Sequence, residues 1–259
     1  MCRASTQARL ERETMTAIIL AAGMGRRLAM GVPKCLIEIA GSSILKRQIG
    51  AFRTVGVSHF VIVIGHRGQE IRQHIADESG RFTFVVNERF AETNTLYSLY
   101  LARDHFGSGF FYTNGDVVFD RRLASRLAES THATVMAVKP GRCGHEEVKV
   151  TVEPGLAPDG SHARIARIGK HLDPERAWGE FIGPARFGAG IIPAFREILT
   201  HCVEHEGIVG DLFESAIDRL CMVGHEIMGI DIGDLPCGEI DFPEDLEYAR
   251  RELASLLLS

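Results

Sequence analysis

A short apolar run, TAIILA at residues 16–21, feeds directly into a glycine-bearing segment crowded with cations, AGMGRRLAMGVPK at residues 22–34. Residues 16–21 are β-branched and apolar enough for a strand buried on both faces. Ala22, Gly23 and Gly25 then leave the backbone open to close approach. Arg26, Arg27 and Lys34 bring positive charge to the same place. Exposed amides and fixed cations at the end of a buried strand suit a phosphate group, and phosphoryl-type transfer is mostly positioning plus electrostatic stabilisation. Two other phosphate loops do not fit. The GxxxxGK[ST] order of a P-loop is absent. Gly23 and Gly25 begin a dinucleotide fingerprint, but Leu28 stands where a third glycine belongs, and Pro33 breaks the helix that would have to follow. The glycines therefore lead into more loop, which returns Lys34 toward the phosphates.

The cations are local to this segment. With 29 basic and 34 acidic side chains the net charge is −5, which argues against a nucleic-acid binder held by general electrostatic attraction. No apolar run reaches the length of a membrane span, and residues 1–14 are too polar and mixed in charge for a secretory signal. They carry no buried-strand pattern and are expected to form a disordered extension ahead of a single domain over residues 15–259. Six cysteines without a CxxC pair read as reduced thiols of a cytoplasmic protein.

Along the rest of the chain, helical spacing over 43–54, 69–77 and 95–105 alternates with buried-strand runs at 59–64, 82–86 and 109–113. Strands alternating with helices predict an α/β fold with a doubly wound, mostly parallel sheet. Beyond residue 133 the rhythm changes. Strands at 133–139, 147–153, 163–168 and 184–192 follow one another without a helix, predicting a β-rich insert over about 133–192 that covers the ligand face. Helices at 194–205 and 212–220, a strand at 226–232 and a last helix from Pro243 close the chain.

Ligands of open α/β sheets sit beyond the carboxyl ends of the strands, so acidic residues just after strands are the ones to question. Asp116 follows the apolar run at 110–112, where a carboxylate would repel bound phosphates unless a metal lay between. Asp241 follows Glu239 and Ile240 and precedes Pro243, which suits the first turn of a helix. Two such carboxylates at the phosphate loop would hold Mg²⁺, with triphosphate oxygens completing its octahedron. Alternatively, Asp241 only caps the last helix. His201 and His205 stand four apart on a predicted helix, a spacing that binds zinc, yet no third ligand or HExxH glutamate accompanies them. No GxSxG elbow supports serine chemistry.

At Leu20, Ala21, Ala22, Gly23, Gly25, Arg27, Leu28, Pro33 and Lys34 the chain resembles the nucleoside-triphosphate transferase superfamily, whose signature reads LAAGxGxRL followed by PK. The arginine-to-PK spacing is shorter than in typical sugar-phosphate enzymes. The segment 94–100, NTLYSLY, preceded by Asn87, resembles the cytidylyltransferases that act on phosphocholine and on phosphonates, as do the pieces EEVK at 146–149 and GEFIG at 179–183 with Lys170 between. The resemblance implies a Rossmann-like nucleotidyltransferase fold and makes Asp116 and Asp241 the metal ligands, with Asp231 and Asp234 competing for the second place.

The reaction so implied is attack by a phosphonate or phosphate-monoester oxygen on the α-phosphorus of CTP, with pyrophosphate leaving. That nucleophile is largely ionised near neutral pH, since a phosphate monoester loses its second proton at about 6. Lys34 and Arg27 are the expected catalytic residues, and Ala21, Ala22, Gly23, Met24, Gly25, Asn87, Asn94 and Asp116 the expected nucleotide contacts. Asn87 and Asn94 each offer one acceptor and two donors, which suits a pyrimidine edge, although turn chemistry and an N-cap at Asn94 compete. Tyr97, Ser98, Lys149, Lys170 and Glu180 are the expected acceptor contacts, with core packing and solvated surface as the bland readings of the tyrosines and lysines. Glu180 sits among small and apolar residues, where it could hold an amine. A choline head group favours an aromatic cage, and the single tryptophan, Trp178, has no evident ring cluster beside it. A phosphonate is therefore preferred over phosphocholine and over a sugar 1-phosphate. A non-catalytic nucleotide-binding subunit and a homodimer remain alternatives of function and assembly.

Overall fold

The computed structural model describes residues 15–28, 30–153 and 162–256, so the extension expected over 1–14 lies outside the described residues. The first half runs β1 (Thr16–Ala21), the small pair β2 (Glu38–Ile39) and β3 (Ser42–Ser43), α1 (Ile44–Thr54), β4 (His59–Ile64) and α2 (Gly68–His74). It continues through β5 (Arg81–Val86), α3 (Thr95–Leu101) and β6 (Gly109–Asn114). The second half adds β7 (Val117–Phe119), α4 (Arg121–Glu129), β8 (Val135–Pro140), β9 (Lys149–Val152), β10 (His162–Gly169) and β11 (Gly179–Gly188). It ends with α5 (Ile192–Thr200), α6 (Glu214–Met222), β12 (Met228–Asp231), β13 (Cys237–Glu239) and α7 (Pro243–Tyr248).

Nine strands form one sheet in the order β5-β4-β1-β6-β11-β8-β12-β10-β9. β5, β4, β1 and β6 are parallel neighbours, each joined to the next in sequence through a helix. Alternate residues of β1 explain why both faces are covered. Ile18 and Leu20 pack with α3, α5 and α6, while Ala17, Ile19 and Ala21 pack with α1, α2 and α4. The helix over Arg121–Glu129 was absent from the sequence reading, although Leu123, Ala124, Leu127 and Ala128 bury one face of it and Asp120 caps it.

The expectation of a mostly parallel sheet needs correction. β11 runs antiparallel to both β6 and β8, and β10 runs antiparallel to β12 and β9; in this half only β8 and β12 are parallel. A parallel return requires a crossover of a dozen or more residues, and no more than nine residues separate consecutive strands from β8 to β11. Its strands also do not form a separate cover. They extend the same sheet, which curls until β9 pairs again with the start of β11, Gly179 opposite Val150 and Glu180 opposite Lys149.

Phe110 on β6 anchors the junction of the two halves, fully buried against Phe106 at 4.3 Å, Phe187 of β11 at 4.9 Å and Phe195 of α5 at 6.2 Å between ring centroids. Phe110→Ala is expected to cost about 3–5 kcal/mol of stability, read as a lowered midpoint in urea unfolding. A loss under about 1 kcal/mol would remove this ring from the core account.

Candidate active site

β1 ends at Ala21, and the next residues leave the sheet at its carboxyl edge. Gly25 adopts φ +59°, and a Cβ there would lie 3.0 Å from Cγ of Lys34. Glycine is needed for the backbone angle and for the passage of the lysine stem. The N–H of Leu28 closes a turn on the Gly25 carbonyl at 3.2 Å, and Pro33 opens a single 3₁₀ turn over Lys34–Leu36, with Cys35 buried beneath. No helix follows the glycines. The loop folds back and lays Lys34 over Gly25.

Two carboxylates meet the lysine from distant parts of the chain. Asp116 lies between β6 and β7, where the Gly115 amide donates to the Leu20 carbonyl at 2.8 Å and a Cβ on Gly115 would crowd that oxygen at 3.0 Å. β7 pairs antiparallel with β13, Glu239 opposite Val117, and the Ile240 amide donates to the Asp116 carbonyl at 3.0 Å. This ladder carries Asp241 to Asp116. Lys34 Nζ donates to Asp116 Oδ2 at 3.1 Å and to Asp241 Oδ1, and Arg27 donates to Asp241 Oδ2 at 3.3 Å. The helix-cap reading of Asp241 is thereby corrected: Asp245 accepts the Asp241 and Phe242 amides at 2.9 and 2.8 Å, leaving the Asp241 carboxylate free to face the cations. Asp231 and Asp234 are engaged elsewhere, Asp231 with the Gly233 amide and Asp234 with Arg126.

Burial alone would lower the pKa of Lys34, but Asp116 and Asp241 outweigh it and hold the ammonium above its ordinary value. Lys34 is therefore a fixed cation at physiological pH and not a proton acceptor. Glu239 is pushed toward its neutral form instead. Desolvation and the charges of Asp116, Asp241, Glu214 and Glu180 raise its pKa, although its side chain opens to the cleft.

Arg27, Asp116, Glu239 and Asp241 border a cavity of about 490 Å³, whereas Lys34 is not on its wall and adjoins it through the two aspartates. Its walls include Ala22, Gly23, Arg27, Asp116 and Asp241 from the phosphate-loop side, Asn87, Asn94 and Ser98 from the segment after β5, and Lys170 from the end of β10. Of the remaining expected contacts, Ala21 ends the buried strand, while Met24 and Gly25 back the loop and do not line the cavity. Asn94 caps α3 through the Thr95 amide at 2.9 Å while also lining the cavity, so both of its readings are realised in place. Asn87 is 1% exposed and spends its amide on Thr93 at 3.0 Å and Ser98 at 3.1 Å, with its oxygen taking the Arg89 amide. It shapes the wall, and its two donors are not free to read a base.

Two of the expected acceptor contacts lie off the cavity wall. Lys149 is fully buried, and its ammonium donates to the carbonyls of Gly144, His145 and Glu147 at 3.0–3.1 Å. All three of its hydrogens pin a loop, leaving none for an anion. Tyr97 lies outside the cavity wall, stacked on Tyr100 at 5.9 Å with Arg89 over its ring at 5.3 Å. Tyr100 is half-buried and packs against the hydrophobic core, as the core reading expects of at least one of the pair, while Tyr97 is not part of that packing. Glu180 lines an adjoining hollow of about 360 Å³ with Glu147, Lys139 and Lys170. Burial raises its pKa, as does the charge of Glu147. Trp178 packs against Gly229, where a Cβ would meet the ring at 2.5 Å, and is absent from both walls. Among the described residues no group of three His, Cys, Asp or Glu side chains could hold a metal, and His201 instead contacts Glu206 at 3.1 Å.

Glu214 lines the cavity and was not foreseen. It is 5% exposed at the start of α6, and desolvation pushes its carboxyl up to about 7. The signal was a glutamate inside the apolar pattern Leu212, Phe213, Ala216, Ile217, which places it on the buried face. A carboxyl with a raised folded pKa keeps its proton after the unfolded chain has released it. The penalty is thus absent below the unfolded value near 4.5, grows through about 7 and is full above. Glu214→Gln is expected to raise stability by about 3 kcal/mol at pH 8 and by under about 1 kcal/mol at pH 5, measured by urea unfolding. Equal gains at both pH values would show that the carboxyl is not buried as described.

A family profile described as MobA-like NTP transferase domain matches residues 17–200. CMP-5'-(3-aminopropyl)phosphonate synthase of Streptomyces rubellomurinus is 30% identical over 248 residues, 90% of this chain and 38% of that protein. Choline-phosphate cytidylyltransferase of Streptococcus pneumoniae is 27% identical over 124 residues, 47% of this chain and 53% of that protein. The chain thus spans between 38% and 53% of the length of these two relatives. The inositol-1-phosphate CTP transferase from T. maritima superposes with a TM-score of 0.72 at 22% identity, covering 95% of this chain and 96% of that one, which establishes a shared fold.

Proposed function

This chain belongs to the MobA-like NTP transferase family, and on that footing we propose that it transfers CMP from CTP to a small phosphonate or phosphate monoester. The observation that carries the proposal is the Lys34 ammonium held beside the glycine loop against Asp116 and Asp241, whose carboxylates line a cavity large enough for a nucleotide. An oxygen of the acceptor attacks the α-phosphorus and forms a P–O bond. The bond to the β-phosphate oxygen breaks, and pyrophosphate leaves with its electron pair.

Each residue acts through its charge. Lys34 stands where nucleotide and acceptor meet and offsets their mutual repulsion, while Arg27 and the amides after Ala21 receive the charge that builds on pyrophosphate. No general base is required, because the attacking oxygen is already ionised. Asp116 and Asp241 supply hard oxygen donors close enough to share one cation, and among the described residues no further ligand closes the set, which fits Mg²⁺ with phosphate oxygens completing its shell. When bound, the ion would neutralise charge on the α-phosphate. A purely regulatory nucleotide binder gains nothing from a cation clamped between two carboxylates. Among the described residues no helix is long and apolar enough to cross a membrane, consistent with small dissolved substrates.

Pyrophosphate release should appear with CTP and a phosphonate or phosphate monoester, and be weak with UTP, GTP or ATP and with sugar 1-phosphates. Turnover confined to UTP with a sugar 1-phosphate, or nucleotide binding without turnover on any acceptor, would overturn the reading. Lys34→Ala and Asp116→Ala are each expected to lower pyrophosphate release at least about 100-fold while leaving the circular dichroism spectrum unchanged. Wild-type turnover in either variant removes that residue from the mechanism.

A further inference from the structure

Asn114 stands on the cavity wall at the end of β6, two residues before Asp116, and the proposed transfer gives it no task. Residues two apart on a strand share a face, so its neighbour there is Tyr112. The Tyr112 ring is fully buried against Phe213, with 4.2 Å between centroids. A phenol keeps its hydrogen at neutral pH, and a buried hydroxyl that finds no acceptor is costly. Among the described residues the one hydrogen bond this hydroxyl makes is to Oδ1 of Asn114 at 2.6 Å. The hydrogen needs an oxygen opposite it and not an amide nitrogen. Tyr112 thereby fixes which way the carboxamide of Asn114 points.

The backbone beneath is held as firmly. Gln48, 1% exposed, donates from Nε2 to the carbonyls of Asn114 at 2.7 Å and Val117 at 2.8 Å, which brackets the turn between β6 and β7. On the other side the Gly115 amide donates to the Leu20 carbonyl at 2.8 Å. With its oxygen spent on Tyr112, Asn114 keeps the two hydrogens of Nδ2, which meet no acceptor among the described residues. The side chain therefore offers the cavity donors only. A ribose hydroxyl is served equally well by an acceptor, whereas a phosphoryl oxygen can only accept.

We propose that Asn114 binds the α-phosphoryl group of the nucleotide, donating from Nδ2 to a non-bridging oxygen, and that Tyr112 is the positioning residue that aims it. This deepens the proposed transfer and rests on it for the identity of the nucleotide. In that reading Arg27 and the loop amides take the outer phosphates, and the innermost phosphate falls to the end of β6, where Asp116 follows Asn114 on the same turn. Negative charge spreads over the oxygens of the α-phosphorus as the acceptor's oxygen adds to it. A neutral donor already aimed by a buried hydroxyl stabilises that charge without having to reorganise.

The test is calorimetric binding of cytidine, CMP and ethylphosphonate, each with Mg²⁺ present, to the wild type, Asn114→Ala, Tyr112→Phe and the double variant Tyr112→Phe/Asn114→Ala. The ratio of CMP to cytidine affinity isolates the phosphoryl group. It should fall at least about tenfold in Asn114→Ala, the scale of a hydrogen bond to a charged group, with cytidine affinity kept within about twofold. In Tyr112→Phe the carboxamide is free to turn, and the ratio should fall by about threefold. The double variant leaves no orphaned hydroxyl, so it separates lost donors from a disturbed core, and its ratio should stay as low as in Asn114→Ala. Recovery there would show that Asn114 serves only as the partner of Tyr112, and overturns the assignment. So does an unchanged ratio in Asn114→Ala, or a wild type that binds cytidine as tightly as CMP. A loss confined to cytidine would assign the donors to ribose or base, and one confined to ethylphosphonate to the acceptor; either outcome overturns the α-phosphoryl assignment. Because binding is measured without turnover, the expected ratios with no pyrophosphate release on any acceptor sink the transfer reaction and leave Asn114 as a phosphoryl donor. Turnover in a protein whose ratio ignores Asn114 does the reverse.

Discussion

The site depends on one short antiparallel ladder. β7 and β13 pair over three residues each, and through that pairing a segment near the carboxyl terminus sets Asp241 beside Asp116. Lys34 then reaches both, carried there by a glycine loop that leaves β1 at the same edge of the sheet. Neither carboxylate would tolerate the other at that separation without a cation between them, and the lysine would be unstable in a half-buried place without the carboxylates. The cluster is self-consistent only when all three segments are docked, so the integrity of the fold and of the site are the same condition.

Around this cluster the cavity draws on two differently built halves of one sheet. The parallel half supplies the phosphate loop and the wall at Asn87 to Ser98, in the manner of open α/β sheets whose ligands sit beyond the strand ends. The curled, largely antiparallel half supplies Lys170 and, through the adjoining hollow, Glu180. Its long strand β11 is shared between the two, pairing with β6 on one side and β8 on the other. That sharing sets the cavity beside the adjoining hollow within one sheet.

Charge is distributed unevenly over this surface, and the unevenness bears on chemistry. Lys34 is held as a cation by its aspartates, whereas desolvation pushes Glu214 toward its neutral form, and desolvation together with neighbouring carboxylates does the same to Glu239. A fold does not bury carboxylates beside an anion site for stability, because each one weakens the native state near neutral pH.

The sequence by itself determined the glycine loop, because everything there is local: a buried strand, two glycines, a proline that forbids a helix, and a lysine returned by the chain's own geometry. It also singled out Asp116 and Asp241 by their place after strands and by resemblance. It could not bring them together, since β7 and β13 are three-residue strands separated by more than a hundred positions and leave no periodic trace. Tertiary structure alone decided which polar side chains are free. Asn87 and Lys149 have the right chemistry for ligands but are saturated by neighbours fixed elsewhere in the fold, while Glu214, hidden in an apolar pattern, is left with an oxygen to spare. Hydrogen-bond saturation is a property of three-dimensional neighbourhoods, and a linear pattern carries no record of it.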